Sequence, residues 1–436
     1  MPHILLATTG ESPQVVTETL YAIHTEGLEW PDEIFLITTT LGRARAEAGL
    51  IEAGHLERLC AEIGRKKPSF DRKHIEVVPN ARGQEVDDAR SLEDHEALAD
   101  FIMTRVRDLT ANDGNTVHAS LAGGRKTMTF YLGYAMSLFG RRADRLTHVL
   151  VNEKCYESSN FWFPTISPEH RFFKDWNGNF VLNKHGQPAE ATPAYAQVTL
   201  ADIPFIRQRH NLPKVLSQSS AGVNFREIVA LINLGEQPEN VLLTLRPTEQ
   251  KVIIESMVKE LTIKPIEITL GKLEMAHYAA IARAKSTGIA ITRPGQNECD
   301  ADLLKLVLDE LLPMYGLEPE ERAVDALDAL EAWSNEEIKH PLDSKTLLAL
   351  RGERSIRGKS TDLEDAITDQ IRDVGITQGW FDDRRSDLRK RFEQQLPQNL
   401  AEQVLPSRTN KYATALEAEN IRILNEPLET QETVSP

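Results

Sequence analysis

The chain is poor in cysteine, in net positive charge and in long apolar runs, and each shortage removes a class of protein. Its three cysteines, Cys60, Cys155 and Cys299, are odd in number and far apart. They suggest neither a disulfide framework nor a cysteine zinc site. No segment is apolar over the length of a membrane span, and the first residues run into a strand instead of a signal peptide, so a cytoplasmic protein with no membrane partner is expected. Acidic residues outnumber basic ones by 66 to 50, a net charge of −16. That balance argues against a protein that coats nucleic acid non-specifically, and any bound polyanion must be held by a local pocket. The 12 histidines are scattered without ligand spacing, so no metal or other cofactor is expected. No G-x-G-x-x-G follows the first strand, which leaves hydride chemistry without support.

What is present begins at residues 116–133. Val117 to Leu121 reads as a buried strand, Ala122 to Gly124 as a turn without side-chain bulk, and Met128, Leu132, Ala135 and Phe139 recur at helical spacing. At such a junction the first helical N–H groups lack partners, the helix dipole is positive, and glycine lets a ligand approach. Arg125 and Lys126 add two charges there, so an anion site, most simply for phosphate, is expected. A P-loop would need G-x-x-x-x-G-K-[ST]. Here Arg125 precedes Lys126-Thr127 where glycine belongs and Ser120 replaces the first glycine.

A second junction of the same kind stands at the N-terminus. His3 to Ala7 is an apolar run, Thr8-Thr9-Gly10-Glu11-Ser12-Pro13 a polar turn, and Val16, Leu20 and Ile23 one face of a helix. Ser12 suits its N-cap and Pro13 its first position. Parallel strands deliver such junctions to one sheet edge, so two anion-friendly helix starts share a crevice. Glu33 to Thr40 follows as a strand with a hydroxyl-rich turn, Thr38-Thr39-Thr40-Leu41-Gly42-Arg43. Residues 45–63 read as helical, 75–78 as a strand, 91–109 as a helix burying Leu98, Phe101, Ile102 and Val106, and 147–152 as a strand. Alternating strands and helices predict a doubly wound, Rossmann-like α/β domain over residues 1–160.

With 436 residues the chain has room for two or three domains. Residues 161–214 are turn-rich and aromatic and read as an extension packed on the first domain. An α/β segment, 215–295, carries strands at 241–245 and 252–254 and a helix, 272–285, stopped by Gly288. A helical region, 296–425, contains an acidic connector, a Thr361–Glu364 capping box opening a helix to Gly375, and a helix after Ser386 on which Arg384, Arg385, Arg389, Lys390 and Arg391 crowd. A β-hairpin from Arg408 to Leu424 completes a winged helix-turn-helix-like unit within an α+β C-terminal half. Residues 426–436 read as a disordered tail.

The runs Ile4-Leu-Leu-Ala-Thr-Thr-Gly-Glu-Ser-Pro-Gln, Ile37-Thr-Thr-Thr and Ser120-Leu-Ala-Gly-Gly-Arg-Lys-Thr-Met resemble the CRISPR-associated Rossmann fold (CARF) family. Within it they resemble the ring nucleases of type III systems. The resemblance spans about the first 160 residues and is weaker beyond. It implies a homodimer that binds cyclic oligoadenylate, with cyclic tetra-adenylate the implied ring, across its two-fold axis. It implies ligand contacts from Thr8, Thr9, Gly10, Ser12, Pro13, Gln14, Thr39, Thr40, Gly123, Gly124, Arg125, Lys126 and Thr127. Of these, Ser12, Arg125 and Lys126 would serve cleavage by the ribose 2′-OH, without metal. Many CARF proteins add a HEPN ribonuclease domain marked by Arg, four to six residues, then His. After Pro213 only His277 and His340 remain, and neither has an arginine at that distance upstream. The alternatives are a ring-responsive transcription regulator binding DNA through the winged-helix-like unit, and a ring-activated ribonuclease with an unrecognised site.

Overall fold

The structure, a computed structural model, describes residues 1–87, 90–166, 170–213, 216, 223–258, 263–296, 299–315, 376–408 and 412–424. The chain divides into two compact units, Met1–Arg226 and Glu227–Pro436. The division falls inside the span 215–295 that the sequence suggested as one segment, and places the 161–214 extension wholly in the first unit.

The first unit is built on β1 (His3–Thr8), β2 (Glu33–Thr38), β3 (Ile75–Val77), β4 (Thr116–Ser120) and β5 (Arg145–Val151). These lie in the order β3-β2-β1-β4-β5 and every neighbouring pair is parallel. That is the order of a doubly wound open sheet, and it satisfies the expectation of an α/β fold. Burial explains the composition of the central strands: all six residues of β1 are buried, so alternation is absent and the run is apolar. The connecting helices are α1 (Gln14–Thr25), α2 (Thr40–Ala46), α3 (His55–Glu62), α4 (Leu92–Ala111) and α5 (Lys126–Phe139). In α4 the Ser91 side chain accepts a hydrogen bond from the Asp94 N–H, and Leu98, Ile102 and Val106 are buried; Phe101 is only half-buried.

Three local expectations need correction. The stretch 45–63 is not one helix, because a π-helical turn, Glu47–Glu52, separates α2 from α3. It brings Gly49 against the Trp162 ring, where a Cβ would collide with the indole. The hydroxyl-rich turn after β2 shrinks to Thr39, which caps α2. Ser12 is not an N-cap: Pro13 occupies that position, and the first turn closes through the Val16 N–H donating to the Pro13 carbonyl at 3.1 Å.

The aromatic extension is tied into the unit's core. Trp162 stacks on His55 with ring centroids 4.1 Å apart, and the Thr17 hydroxyl donates to the Trp162 carbonyl at 2.6 Å. Beyond it, β6 (Arg171–Phe172) and β7 (Glu190–Ala191) form a small antiparallel pair over Tyr156, Phe161 and Phe173. The chain then returns as β8 (Val198–Asp202), antiparallel to β5.

In the second unit, strands Val241–Arg246, Lys251–Ser256 and Ile266–Thr269 run antiparallel in sequence, and the helix Lys272–Ser286 follows. Gly288, at φ +75°, takes the left-handed conformation that ends it. Among the described residues the expected 408–424 hairpin is not formed. Ile421–Ile423 instead pairs parallel to Val241–Arg246, where Ile421 is buried and the Leu424 N–H donates to the Leu245 carbonyl at 2.9 Å. An edge strand with unpaired backbone groups was available, and pairing there satisfies both partners. The capping box and helix expected over 361–375 and the tail 426–436 lie outside the described residues.

Candidate anion-binding crevice

Five parallel strands present their carboxyl ends along one edge, and the winding reverses between β1 and β4. The chain leaves β1 through α1 towards β2, and leaves β4 through α5 towards β5. The turns at 9–13 and 121–125 therefore border the switch-point crevice in which open α/β sheets bind ligands.

The turns touch at their glycines. A Cβ on Gly10 would lie 3.6 Å from Gly124 Cα, and one on Gly123 would sit 3.0 Å from both the Thr8 carbonyl oxygen and Val15 Cγ2. Gly124 adopts φ +97°, a conformation that costs a residue with a Cβ. A Cβ on Gly42 would strike the Thr38 hydroxyl and the Gly10 carbonyl. Three turns are thus packed backbone to backbone.

The threonines hold this arrangement. The Thr8 hydroxyl donates to the Gly123 carbonyl at 2.8 Å, the Thr38 hydroxyl donates to the Thr9 carbonyl at 2.8 Å, and the Thr9 hydroxyl reaches Thr38 at 3.3 Å. Thr39 accepts from the Gly42 N–H at 3.2 Å, and Thr40 donates to Asp87. Thr8, Thr9 and Thr39 are buried, so their hydroxyls fix turns instead of facing an incoming group. Pro13 and Gln14 are buried as well; the accessible members of the expected site are Gly10, Ser12, Thr40, Gly123, Gly124, Arg125, Lys126 and Thr127.

Helix capping separates the three helix starts. That of α2 is closed by Thr39, whereas neither α1 nor α5 has a side-chain cap. The orphan amides and positive dipole ends of α1 and α5 are left for an anion. Arg125 and Lys126 are exposed at the start of α5. Arg125 makes a long contact, 3.5 Å, to the Asp87 carbonyl, while the Lys126 ammonium has no hydrogen bond or ion pair among the described residues. Other cations nearby are spent: Arg45 pairs with Glu11 at 2.6 Å and lies 4.5 Å over the Trp176 ring, and Arg43 pairs with Glu85 at 2.6 Å.

Ser12 and Ala122, one from each turn, also line a cavity of about 370 Å³. Gln14 and Glu18, one helical turn apart on α1, form part of its wall, with residues 148–151 of β5 and 156–158. Glu18 is 7% exposed and its carboxyl has no hydrogen bond or ion pair among the described residues. Burial pushes its carboxyl up from 4.5 to about 8, and the nearby Glu157 charge adds to the effect. Glu18 is the residue that sequence reasoning missed. Its spacing from Gln14 was visible, but the wall that buries it comes from residues more than a hundred positions later.

A family model described as CRISPR-associated protein NE0113 matches residues 12–236, just over half of the chain. The chain belongs to that family. A search of curated proteins returned no match. The NE0113-family match takes in Ser12, Glu18, the turn at 121–125 and Lys126, while Thr8 to Gly10 precede it. Membership makes this a CRISPR-associated protein, with a parallel-sheet α/β unit across most of the matched span. No helix among the described residues is long and apolar enough to cross a membrane, and no cluster of three or more His, Cys, Asp or Glu among them is arranged to hold a metal ion.

Proposed function

We propose that the chain is a type III CRISPR accessory protein that binds cyclic oligoadenylate, with cyclic tetra-adenylate the expected ring, and linearises it without a metal. The unit Met1–Arg226 would serve as a CARF domain, and a second copy of the chain would complete the site. The observation that carries the reading is the pair of uncapped helix starts at the switch point, joined by touching glycine turns and carrying the exposed Arg125 and Lys126. A cyclic oligonucleotide has internal symmetry, so two identical half-sites match it.

Cleavage in such a site is positioning followed by charge stabilisation. The ribose 2′-oxygen attacks the adjacent phosphorus while the bond to the 5′-oxygen breaks. The 2′-OH proton leaves and the departing 5′-oxygen acquires one, giving a 2′,3′-cyclic phosphate and a 5′-hydroxyl end. The glycine turns admit the backbone closely enough for in-line geometry, Ser12 orients the phosphate or ribose, and Lys126, Arg125 and the α5 amides face the charge that grows on the phosphoryl oxygens. Neither turn contains a histidine, so positioning dominates and turnover is slow. Binding tests this directly: the wild type should take up cyclic tetra-adenylate, and Lys126→Ala should weaken it about 10- to 100-fold, the loss of a charge-assisted hydrogen bond. Equal affinity in folded wild type and variant would remove Lys126 from the site.

The DNA-binding alternative has less support, because three of the five cations on its basic helix are held in ion pairs. Arg384 pairs with Asp387 at 2.9 Å, Arg389 with Glu393 at 3.3 Å and Arg391 with Glu274 at 3.2 Å.

A further inference from the structure

The cavity that runs from Ser12 and Ala122 to Glu18 has a use that phosphate binding does not exhaust. Its volume of about 370 Å³ is more than twice the ~150 Å³ that encloses a benzene ring and within the roughly 300–1,000 Å³ range of ligand pockets. Its lining is mixed. Val15, Val149 and Val151 offer apolar walls, and Tyr156 lines it with its hydroxyl already donating to the Thr192 carbonyl at 3.2 Å. Two polar groups there are unsatisfied among the described residues: the Glu18 carboxyl, and Gln14 Oε1, whose amide partner Nε2 is committed to the Ser158 carbonyl at 2.7 Å. A buried polar group without a partner is costly, and one that lines a cavity is placed to pair with whatever enters it.

We propose that this cavity is a nucleobase subsite beside the phosphate crevice, and that Glu18 reads the adjacent donor and acceptor of an adenine edge. The inference deepens the ring-binding reading and rests on it for the choice of ligand. Base and phosphate sites share Ser12 and the 121–125 turn, as a nucleotide whose sugar spans them requires. A protonated carboxyl offers one O–H donor beside one carbonyl acceptor. Adenine presents N1, an acceptor, beside the N6 amino group, a donor, so the two edges are complementary. The groups facing Glu18 are Gln14 on its own helix, His148 from β5, and Tyr156 and Glu157 from the 153–158 segment. The Glu157 charge helps keep Glu18 protonated at neutral pH, when an ionised carboxylate would repel the N1 lone pair.

Two substitutions separate reading the base from merely filling the space. Glu18→Gln keeps a donor beside an acceptor, whereas Glu18→Leu removes both at similar volume. Calorimetric titration near neutral pH with cyclic tetra-adenylate and adenosine 5′-monophosphate reads the result. The expected outcome is affinity in Glu18→Gln within about threefold of wild type for both adenine ligands, and a loss of about tenfold or more in Glu18→Leu, the scale of two lost hydrogen bonds. Raising the pH through about 8 should weaken binding of both adenine ligands to wild type but not to Glu18→Gln. Circular-dichroism melting confirms that both variants fold. Ring binding by folded Glu18→Leu as tight as by wild type overturns the subsite and leaves ring binding standing. Adenosine monophosphate failing to bind wild type at millimolar concentration also overturns the subsite. A wild type that ignores the ring but binds adenosine monophosphate, with the Glu18 pattern above, supports the subsite and overturns the ring.

Discussion

Glu18 makes the energetics of the first unit depend on pH in a way one substitution can isolate. In the fold its carboxyl holds a proton up to about pH 8, against 4.5 when exposed to water, chiefly because burial disfavours the charged form. Between those values the folded chain binds a proton that the unfolded chain has released. Stability from this group is complete below pH 4.5 and is lost as pH rises through 8. Each unit of pKa difference corresponds to ~1.4 kcal/mol. The shift therefore predicts a loss on the order of 4 kcal/mol between about pH 5 and about pH 9. Glu18→Gln cannot ionise and should lack that loss, so subtracting the two proteins cancels every other titrating group. Urea unfolding followed by tryptophan fluorescence across that range reads the difference, with Trp162 in the core packed against α1. The two proteins should diverge steadily above about pH 5, the wild type becoming the weaker. Parallel stability curves would refute the reasoning, since they would mean that Glu18 ionises in the fold as readily as in water.

The remaining predictions concern the turns and the second unit. Gly42→Ala should destabilise the first unit by about 1–3 kcal/mol and impair ring binding, because its Cβ has no room between Thr38 and the Gly10 carbonyl. Gly10→Ala, whose Cβ meets Gly124 only at 3.6 Å, should melt near wild type; urea titration of both separates the two cases. In the second unit, His277 is buried edge-on to Trp380 and Phe381, neither ring nitrogen has a partner among the described residues, and burial, with the Arg384 charge, pushes it down to about 3. It therefore stays neutral in the fold, and its contribution is lost as pH falls from 6.5 towards 3. His277→Leu should be between neutral and about 2 kcal/mol more stable at pH 7 and should remove that part of the acid sensitivity, read by denaturation at pH 4 and pH 7.

The glycine turn at 121–125 was legible because everything that defines it is local: an apolar strand, small residues, a basic pair and a helical repeat follow one another within residues 116–133. The same holds for the turn after β1. What the sequence concealed was the use of each hydroxyl. Thr8, Thr9 and Thr39 look like ligand donors in a row of threonines, yet Thr8 and Thr9 find partners on a neighbouring turn and Thr39 caps the helix that follows it. Glu18 escaped for the complementary reason, since residues 148–158 bury it and nothing near it in sequence announces them. The same limit explains the Ile421–Ile423 strand. Its local pattern suited a hairpin, but a partner about 180 residues earlier claims it. Short-range signals located the crevice, and long-range packing decided which of its residues face it.

The central claim, that the crevice breaks the ring it binds, is tested by incubating the purified chain in excess chelator with cyclic tri-, tetra- and hexa-adenylate and weighing the products. The account predicts linear oligoadenylate with a 2′,3′-cyclic phosphate from the tetra-adenylate ring. It further predicts rates reduced about 10²- to 10³-fold in Lys126→Ala and clearly lowered in Ser12→Ala. An intact ring after prolonged incubation with folded protein, or unchanged rates in both variants, would contradict it.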